Sequence, residues 1–135
     1  YKNELSTEEA RVFIKDLAQM QAPVLLFSGG EPLIRKDIIG LGKMAAELGL
    51  RPVISSNGTL IDDELAKKIK DAGFQYVGIS IDGAPATHDQ FRNRQGAFEA
   101  ALNGIRACMN NGIKTGIRFT AVSYTHLTLP TIYSV

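Results

Sequence analysis

"PVLLFSGGEPLIRKD", Pro23 to Asp37, is the stretch from which the fold can be read. Val24 to Phe27 is a continuous apolar run, the pattern of a strand buried on both faces. It ends on Ser28-Gly29-Gly30-Glu31-Pro32, although a plain turn needs one glycine and no acid. Backbone without Cβ atoms lets a ligand come close and tolerates positive φ. Pro32 holds its own φ at roughly −65° and biases Glu31 towards an extended conformation. Open carbonyls and the Glu31 carboxylate make a site rich in acceptors, which suits an ammonium group. Charge-assisted hydrogen bonds of that kind contribute roughly 1.5–3 kcal/mol each. Without a ligand, the same residues read as a strand-to-helix turn with Glu31 near a helix N-terminus, where the macrodipole favours an acid.

Outward from this stretch the pattern alternates. Upstream, "STEE" (Ser6 to Glu9) is a capping box, and Ala10, Phe13, Ile14, Leu17 and Ala18 then form one face of a helix. Downstream, a helix is expected over Lys36–Leu48 with Ile38, Leu41, Ala45 and Leu48 inward, and then a strand over Pro52–Ser55. Asp62 or Asp63 caps a third helix, Glu64–Ala72, followed by a strand over Tyr76–Ile81. A fourth helix, Ala97–Asn110, turns Phe98, Ala101, Leu102, Ile105 and Met109 to the core and leads to an extended segment, Lys114–Thr120. "LGLRPVI", "AGFQYVG" and "NGIKTGI" each set glycine just past a helix, where the backbone needs positive φ. Strands alternating with helices through short loops give βαβ units and a parallel sheet. The expected class is therefore α/β, a partial TIM-like barrel of which about four βα units are present.

Polar residues gather at one end of these strands: Ser28 to Glu31, then Ser55, Ser56 and Asn57, then Ser80 and Asp82, and finally Arg118 and Thr120. In parallel α/β folds ligands bind at that C-terminal rim. The opposite ends carry mostly Gly, Pro, Lys and Gln. The asymmetry favours a small-molecule site over a plain scaffold.

Composition narrows the classes. In 135 residues, 44% are hydrophobic and 21% charged, as in a globular domain, and the net charge of +1 offers no field for nucleic acid. No apolar run reaches the roughly 18 residues of a membrane helix, and no segment reads as a secretory signal. Cys108 is the single cysteine, which fits a reducing, cytoplasmic setting better than a disulfide framework. It falls inside a predicted helix, where packing is its expected role. The tail Val122–Val135 has no charged residue and is crowded with Ser and Thr. It resembles translated sequencing-adapter text, so the expected division is a core fragment over 1–121 and a non-native tail over 122–135.

Taken together, "FSGGEPLIRKD", "ISSNGTL" and "VGISIDG" resemble, in order and spacing, the radical S-adenosylmethionine (radical SAM) superfamily, over roughly Ser6 to Ala121. That resemblance implies a partial (β/α)6 barrel, S-adenosylmethionine, a 4Fe–4S cluster, an electron donor, and hydrogen abstraction by a 5′-deoxyadenosyl radical. It implies that Gly29, Gly30 and Glu31 hold the methionine amino group and that Ser56 and Asn57 lie near the cofactor. Ser80 and Asp82 come close to the ribose or carboxylate, and Arg118 is a candidate for the methionine carboxylate. The family's CxxxCxxC loop is absent from this sequence and is expected upstream of Tyr1, so no catalytic or metal-binding residue is assigned and the fragment alone is expected to be inactive.

"DGAPATHDQFRNRQGAFEAALNGIRACMNNGIKTGIRFTAV" further resembles the radical SAM proteins of haem d1 biosynthesis, which modify tetrapyrrole side chains. In its loop, His88, Asp89, Arg92 and Arg94 stand at the rim, and Arg92 and Arg94 could pair with tetrapyrrole carboxylates; a solvated loop with a helix cap is the simpler alternative. Other readings are a peptide-modifying relative with auxiliary clusters and a non-catalytic metabolite-binding module. An aldolase-type barrel is disfavoured, because no lysine stands at a strand's C-terminal end.

Overall fold

The computed structural model describes residues 4–120. The segment 122–135, expected to be non-native, lies outside them. Helix α1 (Thr7–Gln19) opens on the anticipated capping box. The Ser6 hydroxyl accepts from the Glu9 amide while the Glu9 carboxylate accepts from the Ser6 amide. Strand β1 (Val24–Phe27) leads into a single 3-10 turn, Pro32–Ile34, and helix α2 (Ile38–Glu47). Strand β2 (Arg51–Ser56), helix α3 (Asp63–Asp71) and strand β3 (Tyr76–Ser80) follow, then helices α4 (Pro85–Phe91) and α5 (Ala97–Asn110) and strand β4 (Lys114–Arg118).

The four strands pair in parallel in sequence order, β1-β2-β3-β4, and the sheet is not closed. Alternate residues of a strand face opposite sides, and the register carries that parity across the sheet. Leu25 and Phe27, Ile54, Val77 and Ile79 share one side. There they meet α3 and α5 through Ala66, Ile69, Ala101 and Cys108, and α1 and α2 through Ile14, Leu41 and Ala45. The helices thus cover one face. The other carries Leu26, Val53, Ser55, Tyr76, Gly78, Ser80, Gly116 and Arg118 by the same register.

This one-sided cover corrects several expectations. The β1 run is not buried on both faces: Val24 is 38% and Leu26 42% exposed, because they point to the helix-free side. Leu48 and Met109 are exposed rather than inward, since each sits at the flank of its helix stripe beyond the reach of the sheet. Ile81 falls just outside β3, and the expected loop after Asp82 contains the short helix α4, begun by Pro85 at its first turn. No helix among the described residues is long and apolar enough to cross a membrane.

One contact sets the height of the strand tips against the helices. A Cβ on Gly104 of α5 would run into the carbonyl oxygen of Gly58, and one on Gly58, whose φ is +78°, would meet Ile79. The α5 backbone therefore rests directly on the turn that follows β2.

Candidate functional site

At the β1 tip the chain turns through Gly29, whose φ of +146° is open only to glycine and whose missing Cβ would point into empty space. Glu31 is extended, as Pro32 requires, and its carboxylate accepts from the Leu33 amide, capping the 3-10 turn. The ligand-free reading of this stretch is therefore realised, but it does not exhaust the acid. The Ser56 hydroxyl straddles both carboxylate oxygens at 2.9 and 3.0 Å, and the Asn57 amide donates to Oε2 at 2.7 Å. Ser56 is itself held by the Gly58 amide, 2.9 Å from its Oγ. The Asn57 side chain accepts from the Thr59 amide and hydroxyl, closing an Asx turn. Gly29, Gly30, Glu31, Ser56 and Asn57, expected together from two separate motifs, form one assembly.

Its electrostatics are specific. Three neutral donors grip Glu31 and no cation pairs with it among the described residues. A carboxylate has about four lone-pair positions, so one acceptor position and the whole negative charge are left. Beside it runs a groove of about 960 Å³ along the outer edge of β1, lined by Phe13, Leu25, Leu26, Gly29, Gly30 and Glu31. The arrangement suits a ligand with an ammonium group and an apolar body.

The β3 tip is built differently. Ser80 faces the helix-free side opposite Arg118. The Asp82 side chain is only 2% exposed, and Arg92 donates to its Oδ2 through Nη2 at 2.6 Å and Nε at 2.8 Å. The Asp82 amide donates to Nδ1 of His88 at 3.1 Å, which places the imidazole proton on Nε2. His88 is buried against the edge of Phe98. Asp89 accepts from the Gly96 and Phe98 amides at 2.7 and 2.8 Å, the N-terminus of α5, and these bonds, that to Phe98 foremost, hold its carboxyl below the usual range. What reads as a polar loop is a tie between β3, α4 and α5. Oδ1 of Asp82 is buried with no partner among the described residues, whereas buried polar atoms are normally paired.

Of the two arginines expected to meet substrate carboxylates, Arg92 is committed to Asp82, with Nη1 left to offer. Arg94 stays exposed, and among the described residues its guanidinium hydrogen-bonds the Thr59 hydroxyl, at 3.4 Å. Arg118 does not reach across the rim; its Nε lies over Gly78, two residues below Ser80. Sequence reading missed Thr59, and also Arg35, whose guanidinium grips Asp37 at 2.6 Å and the Leu5 carbonyl at 2.8 Å beside the groove. An arginine two residues before an acid was the available signal. Among the described residues no group of three or more His, Cys, Asp or Glu could hold a metal. Cys108 is buried in α5, and burial pushes its thiol up to about 11. These residues do not fit an iron–sulfur cluster.

Comparison with known proteins gives the family and the fold. Residues 1–132 match the family model described as the Radical SAM superfamily. The chain is 52% identical over all 135 residues to Fe-coproporphyrin III synthase of Methanosarcina barkeri, covering 34% of that protein. It is 43% identical over 130 residues, 96% of this chain and 32% of the relative, to pre-heme d1 synthase of Dinoroseobacter shibae. Among solved structures, archaeal TYW1 superposes with a TM-score of 0.60 at 20% identity, over 87% of this chain and 44% of that one, which speaks for the fold alone. The chain spans about a third of the length of the curated relatives it matches.

Proposed function

The chain belongs to the radical SAM superfamily, and from that premise we propose that it is the S-adenosylmethionine-binding part of an enzyme that modifies tetrapyrrole side chains. Reduced by one electron from a 4Fe–4S cluster, the bound cofactor would release methionine and supply a 5′-deoxyadenosyl radical that removes hydrogen from substrate. The residues present here bind and orient. The observation that carries the reading is the Glu31 carboxylate, gripped by the Ser56 hydroxyl and the Asn57 amide with no cation paired to it among the described residues, so that its charge is left for the methionine ammonium. Gly29 and Gly30 let main chain approach the same group. The unpartnered Oδ1 of Asp82 offers itself to a ribose hydroxyl, with Ser80 beside it. On this reading the cluster's cysteines are not among the described residues, and the electron donor is a separate partner.

The tetrapyrrole substrate rests on the two relatives whose names refer to coproporphyrin and haem d1, at 52% and 43% identity. Arg94 at the rim is available to a carboxylate arm, and Nη1 of Arg92 beside it. The test is Glu31→Gln in the full-length protein, which keeps the shape and removes the charge. Titration calorimetry should show affinity for S-adenosylmethionine falling roughly 10- to 100-fold, the equivalent of one charge-assisted bond. Unchanged affinity would take Glu31 out of the site. Incubation of the reconstituted protein with an iron coproporphyrin or didecarboxysirohaem, and separately with a precursor peptide, decides the substrate class.

A further inference from the structure

On the helix-free face, β3 and β4 pair glycine with glycine, Gly78 opposite Gly116. Neither position is spare. A Cβ at Gly78 would lie 2.5 Å from Nε of Arg118, and one at Gly116 would collide with the Tyr76 hydroxyl. Arg118 therefore lies diagonally across β3 and Tyr76 diagonally across β4, each in the space that a side chain would fill on the neighbouring strand. The two lie side by side over a patch of backbone that carries no side chain of its own. Among the described residues neither the Arg118 guanidinium nor the Tyr76 hydroxyl has a hydrogen-bonding or ionic partner.

Such a guanidinium is already oriented. Its stem is bedded on the strand, so little freedom is lost when its fork meets a planar anion. The methionine carboxylate is a poor match for it. Amino and carboxylate groups of one amino acid share a carbon, and Glu31 has its carboxylate on the β2 tip. β4 is two strands further on, roughly 10 Å at the usual strand spacing, and Arg118 turns down the sheet rather than towards Glu31. With Arg92 bound to Asp82, Arg118 is the cation of this face that stands towards the strand tips; Arg51 and Lys114, which the same register places on it, sit at the opposite, N-terminal ends of β2 and β4.

We infer that Arg118 and Tyr76 form a carboxylate seat on the floor of the sheet, taking a carboxylate arm of the substrate rather than that of the cofactor. This rests on the tetrapyrrole reading above and adds to it the group that is recognised. The guanidinium binds the carboxylate through paired N–H donors and the phenol adds a third.

The test uses full-length protein and equilibrium binding, with coproporphyrin III followed by its fluorescence and S-adenosylmethionine by calorimetry. Arg118→Gln should weaken coproporphyrin III binding about 10- to 100-fold, the value of a charge-assisted pair. Tyr76→Phe should weaken it a few-fold, and S-adenosylmethionine affinity should stay within twofold in both. Arg118→Lys, which keeps the charge and loses the fork, should fall between. The tetramethyl ester of coproporphyrin should bind wild type and Arg118→Gln alike. If Arg118→Gln loses S-adenosylmethionine and keeps the porphyrin, the residue serves the cofactor and the seat is wrong. Equal porphyrin affinity in wild type and Arg118→Gln overturns the seat alone. A wild-type protein that binds the cofactor but no porphyrin overturns the substrate reading, and the seat with it.

Discussion

Two acids end neighbouring parts of the same sheet, and the fold treats them in opposite ways. Glu31, after β1, is held by a hydroxyl and two amides and keeps its charge. Asp82, after β3, is buried and its charge is neutralised by Arg92, yet one oxygen is left bare. An anion gripped only by dipoles attracts a cation. An anion already paired with a guanidinium offers little charge to a ligand but still needs a hydrogen-bond donor, and a neutral hydroxyl meets that need. On the function proposed above, the ammonium end of the cofactor is assigned to the β1 tip and its ribose to the β3 tip.

The strongest way to break the contrast is to remove the cation from the β3 side. Arg92→Ala in the full-length protein leaves a buried carboxylate without its partner, which should cost about 3 kcal/mol in urea unfolding, at the lower end for a buried pair because Arg92 is partly exposed. Adding Asp82→Asn should recover more than half of that loss. A single and a double variant of equal stability would show that the pair does not matter. The β1 side breaks more gently. Ser56→Ala removes the hydroxyl that links the Gly58 amide to Glu31, with an expected loss of about 1–2 kcal/mol and a several-fold weaker hold on S-adenosylmethionine, because Glu31 loses its brace but not its charge. Cofactor affinity identical to wild type would show that Glu31 needs no such support.

The smallest effect concerns pH. Asp89 has its carboxyl lowered by the Phe98 and Gly96 amides at the start of α5. A group whose folded pKa lies below its unfolded one adds stability that is present above the unfolded value, and it is lost as pH falls through the folded value. Melting temperatures of wild type and Asp89→Asn, taken from pH 7 downwards, should therefore converge in acid below the ordinary carboxylate range. A constant gap across that range would show that the carboxylate charge is irrelevant to the cap.

The helices and strands were legible because their signals are local. Ser6 and Glu9 cap from three residues apart, and Gly49, Gly73 and Gly112 close helices with positive φ as their positions suggested. The strand-tip motifs placed Glu31, Ser56 and Asn57 together because the parallel order forces successive C-terminal ends to one rim. Burial was less legible. A stripe of apolar residues gives the direction of a face but not how far the neighbouring layer reaches, so Leu48 and Met109 were misjudged. An unbroken apolar run such as Val24–Phe27 does not say whether one face or two are covered. Pairings through an intervening helix were invisible. Arg92 finds Asp82 only because α4 brings positions ten apart into contact, and seven residues containing a proline gave too little periodicity to reveal that helix. The placing of Tyr76 beside Arg118 depends on two glycines facing each other across strands, which requires the register.

The resting of Gly104 on the Gly58 carbonyl has a further consequence. Main chain there touches main chain, so the gap between α5 and the β2 turn behaves as a fixed spacer whose length no rotamer can alter. The hydrophobic interior beneath can exchange one aliphatic residue for another, and the outer surface can drift, without lifting or lowering the platform on which Asn57 presents its amide. Any side chain larger than hydrogen at Gly104 would press on the Gly58 carbonyl and push that platform away.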